Sequence, residues 1–389
     1  MPVKRVARDA AGRAVEVEWT DSTITRVALL EDAARARERV CIAPGLVDIQ
    51  VNGYAGVDVN APDVRAEDLL RMAVSIWGTG VTTFLPTVCT GSSARMERSI
   101  RVVREAFRQD RRFAASVGGI HVEGPYISPD EGPRGAHPRE HVRRPDWEEF
   151  SRWQDAADGT IRIVTLSPEW DGAARFIERA SSSGVVPAIG HTQATTGQLA
   201  DAVAAGARLS THLGNGAHAV LPRHPNYIWD QLADDRLWAS LIADGHHLPP
   251  ATLKCFLRAK TPERVILTSD AVALAGLPPG RYGSFGGRPV DVTPEGRVQL
   301  AGTPYLAGAG LPLIRGVENV VRHAGATLEQ ALRLATSNPS DFLSLHRRAD
   351  LAPGAQADLV RLRWDPTDAH ISVLETIVAG ETVHGTAAP

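Results

Sequence analysis

The chain reads as an α/β protein, a (β/α)₈ barrel with a small β-sandwich formed by its N- and C-terminal segments. Three observations predict this fold. From residue 46 onward, eight short apolar, β-branched runs alternate with amphipathic stretches. Four of those runs end at an acid or a histidine: Glu123, His191, His212 and Asp270. Both ends of the chain, in contrast, alternate in strand fashion without helical stretches. Continuous apolar strands separated by helices indicate a parallel sheet, and eight such units indicate a closed barrel.

The elements follow in order. Residues 1–43 contain VEVEWTDSTITRVALL, the first part of the sandwich. The barrel runs are LVDIQVNG (46–53), GVTTFLPTV (80–88), GGIHVEGP (118–125) and IRIVTLSP (161–168). They continue with VVPAIGHT (185–192), RLSTHLGN (208–215), LWASLIADG (237–245) and RVILTSDA (264–271). Helix-period stretches lie between them, as at 66–80, 172–184 and 197–207. Residues 280–300 read as a hairpin insertion with Pro-Glu-Gly as its turn. The barrel is expected to span 44–348, and the second part of the sandwich 349–389, with strands in ADLVRLRWD and TIVAGETVHG. A long loop, 124–149, rich in Pro, Gly, Arg and His, overhangs the face that carries Glu123; loops of this kind commonly carry function.

Composition narrows the class. With 389 residues and a net charge of -3, the chain has no polybasic footprint for nucleic acid or a membrane surface. Its three cysteines, Cys41, Cys89 and Cys255, are odd in number and far apart, which argues against a disulfide framework or a thiolate metal site. The first ten residues lack the apolar core of a signal peptide, and no run is long enough to span a bilayer. A reducing cytoplasm is the expected setting.

The four strand-end residues carry the chemistry. A single histidine near a strand end is more often a hydrogen-bonded structural group, and a Glu before Gly-Pro can cap a turn. Together, however, they place one carboxylate, two imidazoles and a second carboxylate on the barrel face where active sites lie. Glu123, His191 and His212 form a catalytic-metal ligand set with an open position. By ligand type Zn²⁺ is the first expectation, with Fe²⁺ or another divalent ion also suited. Asp270 is then a proton shuttle in general acid–base catalysis.

The motifs HVEGPYISP…GAHP (121–138), TLSPE (165–169), GHTQAT (190–195), THLGN (211–215), DGHH (244–247) and TSDA (268–271) occur together in that order. As a collinear set the chain resembles the N-acetylglucosamine-6-phosphate deacetylase family of the amidohydrolase superfamily, from about residue 43 to 360. The resemblance implies removal of acetate from an N-acetylated amino sugar phosphate by a homodimer. It assigns Arg223 and the peptide groups at Asn215 and Gly216 to the phosphate. It assigns both Asp244 and His247 of the DGHH motif to substrate binding, with His247 at the acetyl carbonyl. Ala136, Leu306, Ala307 and Gly308 match further substrate contacts. Many amidohydrolases carry His-x-His at the end of strand one, where this chain has Gln50 and Asn52. Carboxamides are weak ligands, so one metal is expected, with Gln50 and Asn52 hydrogen-bonding beside it. Departures at Gly216, Ala217, Ala309 and Ile314, and the extra His218 and His224, are expected near the sugar or phosphate pocket.

Two other readings stand beside this one. The first is a one-metal amidohydrolase acting on a different N-acyl substrate, such as an N-acyl amino acid or another amino sugar. The second is a non-catalytic sugar-binding barrel, which would have no need for a proton shuttle beside a metal.

Overall fold

The computed structural model describes residues 2–385, apart from residues 33, 35, 286, 287 and 346. Four strands open the chain: β1 (Val3–Arg8), β2 (Ala14–Thr20), β3 (Thr23–Leu29) and β4 (Val40–Pro44). After one glycine comes the first barrel strand, β5 (Leu46–Val51). A Cβ at Gly45 would lie 2.1 Å from the Thr82 side chain, so only glycine lets the two sheets join this closely. A small hairpin, β6 (Gly53–Tyr54) and β7 (Val57–Asp58), follows at the barrel mouth.

The other barrel strands are β8 (Val81–Cys89), β9 (Ile120–Glu123), β10 (Ile161–Leu166), β11 (Val186–Ile189), β12 (Leu209–Ser210), β13 (Trp238–Leu241) and β14 (Val265–Leu267). They form one eight-stranded sheet in sequential order, and a parallel bridge between Val51 and Ala271 brings its two edges together. All eight expected runs contain strands; β11, β12 and β14 end short of His191, His212 and Asp270, whereas β9 includes Glu123. Inside, Val47, Ile49, Leu85, Ile163, Ala188, Leu209 and Ile266 form an apolar layer closed from below by Phe342 and Leu343. Nearer the mouth the interior becomes polar: His121 Nε2 lies 2.7 Å from Thr165 Oγ1, which lies 2.8 Å from Thr211 Oγ1.

The surrounding helices bury one face each. In Ala66–Trp77, Leu69, Met72, Ala73 and Ile76 repeat at helical spacing and are buried against the strands. Helix Thr196–Ala204 begins five residues after His191 and is closed by a capping box. Thr195 Oγ1 accepts from Gln198 N (3.3 Å), and Gln198 Oε1 accepts from Thr195 N (2.9 Å). Such a cap stabilises a helix by about 1 kcal/mol. The motif GHTQAT is therefore strand end, candidate ligand and helix start in one.

Beyond β14 lies a three-stranded antiparallel sheet, β15 (Gly280–Phe285), β16 (Arg288–Val292) and β17 (Val298–Leu300). The Pro-Glu-Gly turn joins β16 to β17, with Gly296 at φ 78° and Thr293 N donating to Arg297 O. Residues 286 and 287 of the expected hairpin lie outside the described residues. The chain ends in β18 (Leu359–Asp365), β19 (His370–Val378) and β20 (Glu381–Gly385).

These three strands join the first four in a seven-stranded sheet, with β18 antiparallel to β4. At the far edge, Ile24 N donates to Ala355 O and Ala357 N to Ser22 O, tying β3 to the segment before β18. The sheet thus comes round on itself over its own apolar cluster, which includes Val17, Trp19, Ile24, Ile42, Leu359 and Ile377. Glu375 lies buried in it, accepting from Arg5 Nε (3.0 Å), Arg361 Nη1 (2.9 Å) and Thr382 Oγ1 (3.0 Å). No helix among the described residues is long and apolar enough to cross a membrane.

Candidate active site

Glu123 is the last residue of β9, two residues beyond His121, so both point into the barrel. His191 and His212 follow β11 and β12, and Asp270 follows β14. These last three adopt left-handed backbone conformations, with φ of 50°, 31° and 52°. Non-glycine residues rarely do so, and such strain concentrates at functional sites. Each strand end is sharply turned, which aims its side chain at the barrel axis.

The aim is convergent. Glu123 Oε1 lies 2.9 Å from His212 Nε2 and 3.2 Å from His191 Nε2. The three ligand atoms lie within 4.8 Å of one another, and all three residues are buried. His191 Nδ1 lies 2.8 Å from the Pro133 carbonyl, which can only accept. A neutral His191 ring therefore donates from Nδ1 and turns the lone pair of Nε2 toward a carboxylate oxygen. Two acceptors facing each other repel, and a divalent cation between them removes the conflict. The donor set thus fits a metal, and these three residues would hold it.

Electrostatics agree. Burial favours the neutral acid at Glu123, but with protons standing where the cation would be, hydrogen bonds from His191 and His212 outweigh it and hold the carboxyl well below its usual range. At His212 burial disfavours the charged ring, yet the bond to Glu123 prevails and raises its pKa. An anion this deep needs a cation, and a metal displaces the proton that otherwise supplies one.

Gln50 and Asn52 flank the centre as donors. Gln50 Nε2 donates to Glu123 Oε1 (2.8 Å), and Asn52 Nδ2 to Asp270 Oδ1 (2.7 Å). Burial, with the negative charge of Glu123 adding to it, pushes the Asp270 carboxyl up to about 6. His247 is fixed by Asp244, whose Oδ2 lies 2.8 Å from His247 Nδ1. Asp244 Oδ1 also accepts from the backbone N of His246 and His247, at 2.8 Å each. His247 Nε2 is thus the ring atom left for a ligand.

A cavity of about 680 Å³ opens above these groups. Glu123, His191, His212, Asp270, His247, Asn52, Ala136, Asn215, Gly216, Leu306, Ala307 and Gly308 all line it. Gln50 and Asp244 stand behind the wall, touching Glu123 and His247. Arg223 is different: it is exposed and does not line the cavity, and among the described residues no Lys or Arg does. Of the expected pocket departures, Gly216 alone lines the cavity. Ala309 is buried beside Val272, Ile314 packs in the main core, and His218 hydrogen-bonds the Tyr227 hydroxyl. His246 Nε2 lies 3.3 Å from the Glu295 carbonyl in the β16–β17 turn.

Two of the cavity residues to which the sequence assigns no role stand close to the ligand set and its flanking amides. His137 Nε2 lies 3.3 Å from His191 Nε2, and its Nδ1 lies 2.8 Å from Thr90 Oγ1. Burial first, then the neighbouring His191, push its pKa down to about 3, so it stands as a neutral ring beside the ligand set. The GAHP motif at 135–138 contains it, next to Ala136. Cys89, the last residue of β8, places Sγ 3.0 Å from Asn52 Oδ1. Nothing in a lone cysteine pointed to that position.

An eight-stranded barrel with an acid, two histidines and a further carboxylate at its strand ends defines a metal-dependent amidohydrolase. The amidohydrolase family model matches residues 41–383. The N-acetylglucosamine-6-phosphate deacetylase of Bacillus subtilis is 33% identical over 327 residues, covering 83% of this chain and 81% of that protein. The N-acetylgalactosamine-6-phosphate deacetylase of Escherichia coli O157:H7 is 33% identical over 351 residues, covering 89% and 90%. A Mycobacterium smegmatis N-acetyl-D-glucosamine-6-phosphate deacetylase mutant, solved with N-acetyl-D-glucosamine-6-phosphate, superposes with a TM-score of 0.85. It is 32% identical and covers 99% of both chains. The chain belongs to the N-acetylglucosamine-6-phosphate deacetylase family of amidohydrolases.

Proposed function

We propose that the protein hydrolyses the acetamide of an N-acetylated amino sugar 6-phosphate, first of all N-acetylglucosamine 6-phosphate, releasing acetate and the free amino sugar phosphate. The observation that carries this reading is the meeting of Glu123, His191 and His212 beside Asp270 in one cavity. Glu123, His191 and His212 would hold a divalent cation, Zn²⁺ by our assignment, and when bound it would supply Lewis acidity toward the carbonyl and the attacking water.

The chain's own groups do the rest. Asp270 takes the proton of the attacking water as the C–O bond forms. It then delivers that proton to the sugar nitrogen as the C–N bond breaks. His247, held at Nδ1 by Asp244, presents Nε2 to the acetyl oxygen. The backbone at Asn215 and Gly216 and the segment Leu306–Gly308 border the space for the sugar. Arg223 is the proposed phosphate partner, since a guanidinium fork suits that anion. Because it lies outside the cavity of its own chain, it must be brought there by movement of its loop or by the same loop of a second copy. Exposed Val220 and Trp229 on that segment support a homodimer. A cytoplasmic setting fits a phosphorylated metabolite.

A second reading, the galacto epimer as preferred substrate, is favoured by the equal identity to a relative named for it. The test is acetate release from both 6-phosphates and from unphosphorylated N-acetylglucosamine, with wild type and Arg223→Ala. A phosphorylated sugar is expected to be preferred, with Arg223→Ala raising KM for the phosphorylated substrates alone. Silence on all three would overturn the reading.

A further inference from the structure

The wall behind Asp270 is built from the ends of β5 and β8. Asn52 Nδ2 donates to Asp270 Oδ1 (2.7 Å) and lies 3.4 Å from the Asp270 carbonyl. Asn52 N donates to Ala271 O (2.9 Å), so one residue grips the strained segment after β14 at three points. A carboxamide has a donor end and an acceptor end of nearly equal size, and only the donor end suits a carboxylate. Turned about, Asn52 would set its oxygen against Asp270, two acceptors in contact.

Cys89 removes that ambiguity. Its Sγ lies 3.0 Å from Asn52 Oδ1 and 3.5 Å from Glu123 Oε2. The thiol proton has the amide oxygen as its nearer acceptor, and this contact selects the sense in which the amide faces Asp270. Gln50 plays a parallel part for Glu123, donating to Oε1 at 2.8 Å. The two carboxamides thus act as donors to the two carboxylates of the site.

We propose, resting on the deacetylase reading, that Asn52 is a positioning residue for Asp270 and that Cys89 sets the orientation of its amide. With Oδ1 engaged, the carboxylate is held in one rotation, and Oδ2 is the oxygen that carries the proton between water and the departing nitrogen. Neither Asn52 nor Cys89 exchanges a proton with substrate. Their effect falls on how often Asp270 is aligned, and so on kcat.

The experiment compares Asn52→Leu, Cys89→Val and Cys89→Ser in the metal-loaded protein, reading kcat, KM, metal content and thermal stability. Asn52→Leu is expected to lower kcat by about 10²-fold, the scale of loss from a misaligned catalytic group. KM and metal content stay close to wild type. Cys89→Val, similar in volume but without a donor, lowers kcat by roughly 2–10-fold, the scale of one hydrogen bond. Cys89→Ser, which restores a donor, recovers most of that loss. Wild-type kcat in both Asn52→Leu and Cys89→Val overturns the proposal, as does a loss confined to KM or to metal content.

A crystal structure of Asn52→Leu supplies a readout independent of substrate. Asp270 is expected to rotate or to occupy more than one rotamer, and an unchanged Asp270 overturns the proposal whatever the substrate. Absence of acetate release by the wild-type protein would overturn the deacetylase reading and leave this structural comparison standing.

Discussion

Glu123 Oε1 and His212 Nε2 stand 2.9 Å apart at the ends of strands that are not neighbours, β9 and β12. That contact spans the barrel mouth and is held by an anion and a ring that share one proton when no cation is present. Glu123→Gln removes the anion while keeping the shape. Metal content, measured after exhaustive dialysis, is expected to fall to a small fraction of the wild-type value. Full retention in Glu123→Gln would remove this residue from the ligand set.

Asp270 must be ionised to accept a proton from water. Its carboxyl is pushed up to about 6 by burial and by Glu123. Protonation below that value removes the base, so kcat/KM falls as pH drops. A bound divalent cation favours the carboxylate and moves the limb lower. The acid limb is therefore expected at or below about pH 6, and a limb centred above 7 would contradict the assignment. Asp270→Asn keeps the metal and loses turnover by about 10²–10⁴-fold, the usual worth of a positioned acid–base group.

Gly216 has φ 57°, and a Cβ there would lie 2.6 Å from His191 Nδ1, the atom bound to the Pro133 carbonyl. Gly216→Ala therefore pushes directly on a ligand ring and adds left-handed strain of about 1–2 kcal/mol. Weaker metal retention at equal chelator concentration, with a lowered melting temperature, is the expected outcome. An alanine variant that matches wild type in both would show that the His191 ring can shift without cost.

In the terminal sheet, burial favours the neutral acid at Glu375, but hydrogen bonds from Arg5 and Arg361 outweigh it and lower its pKa. A depressed carboxyl stabilises the fold above its unfolded value of ~4.3, and that contribution is lost as pH falls through the folded value. Glu375→Gln is expected to cost about 2–3 kcal/mol in urea unfolding at neutral pH. This is below the ~3–5 kcal/mol of a fully buried pair, because Arg5 reaches solvent. The difference from wild type should shrink in acid, below the usual carboxylate range. A difference that stays constant there would assign the loss to shape and not to charge.

The eight strands were legible because strands buried on both faces are continuous apolar runs. Glu123, His191, His212 and Asp270 were legible because each interrupts such a run at its end. Strand length was overestimated for a local reason: at His191, His212 and Asp270 the backbone turns left-handed while the sequence still looks strand-like. The pairing of β18 with β4, more than 300 residues apart in sequence, rests on long-range register that apolar alternation leaves open. His137 reaches the ligand set from the middle of a long loop, and loops have no periodicity from which to read direction. Arg223 carries the right chemistry on an exposed segment outside its own chain's cavity. Ala309 and Ile314 are near the site in sequence but pack into the barrel wall.

The central claim is hydrolysis of an N-acetyl amino sugar phosphate at a metal held by Glu123, His191 and His212. The most direct measurement is acetate release from N-acetylglucosamine 6-phosphate by the purified protein, before chelation, after it, and after one equivalent of Zn²⁺ is restored. Acetate is expected at the first and third stages and should vanish at the second. Release that persists in the metal-stripped protein, or none in the metal-loaded one, would contradict the claim.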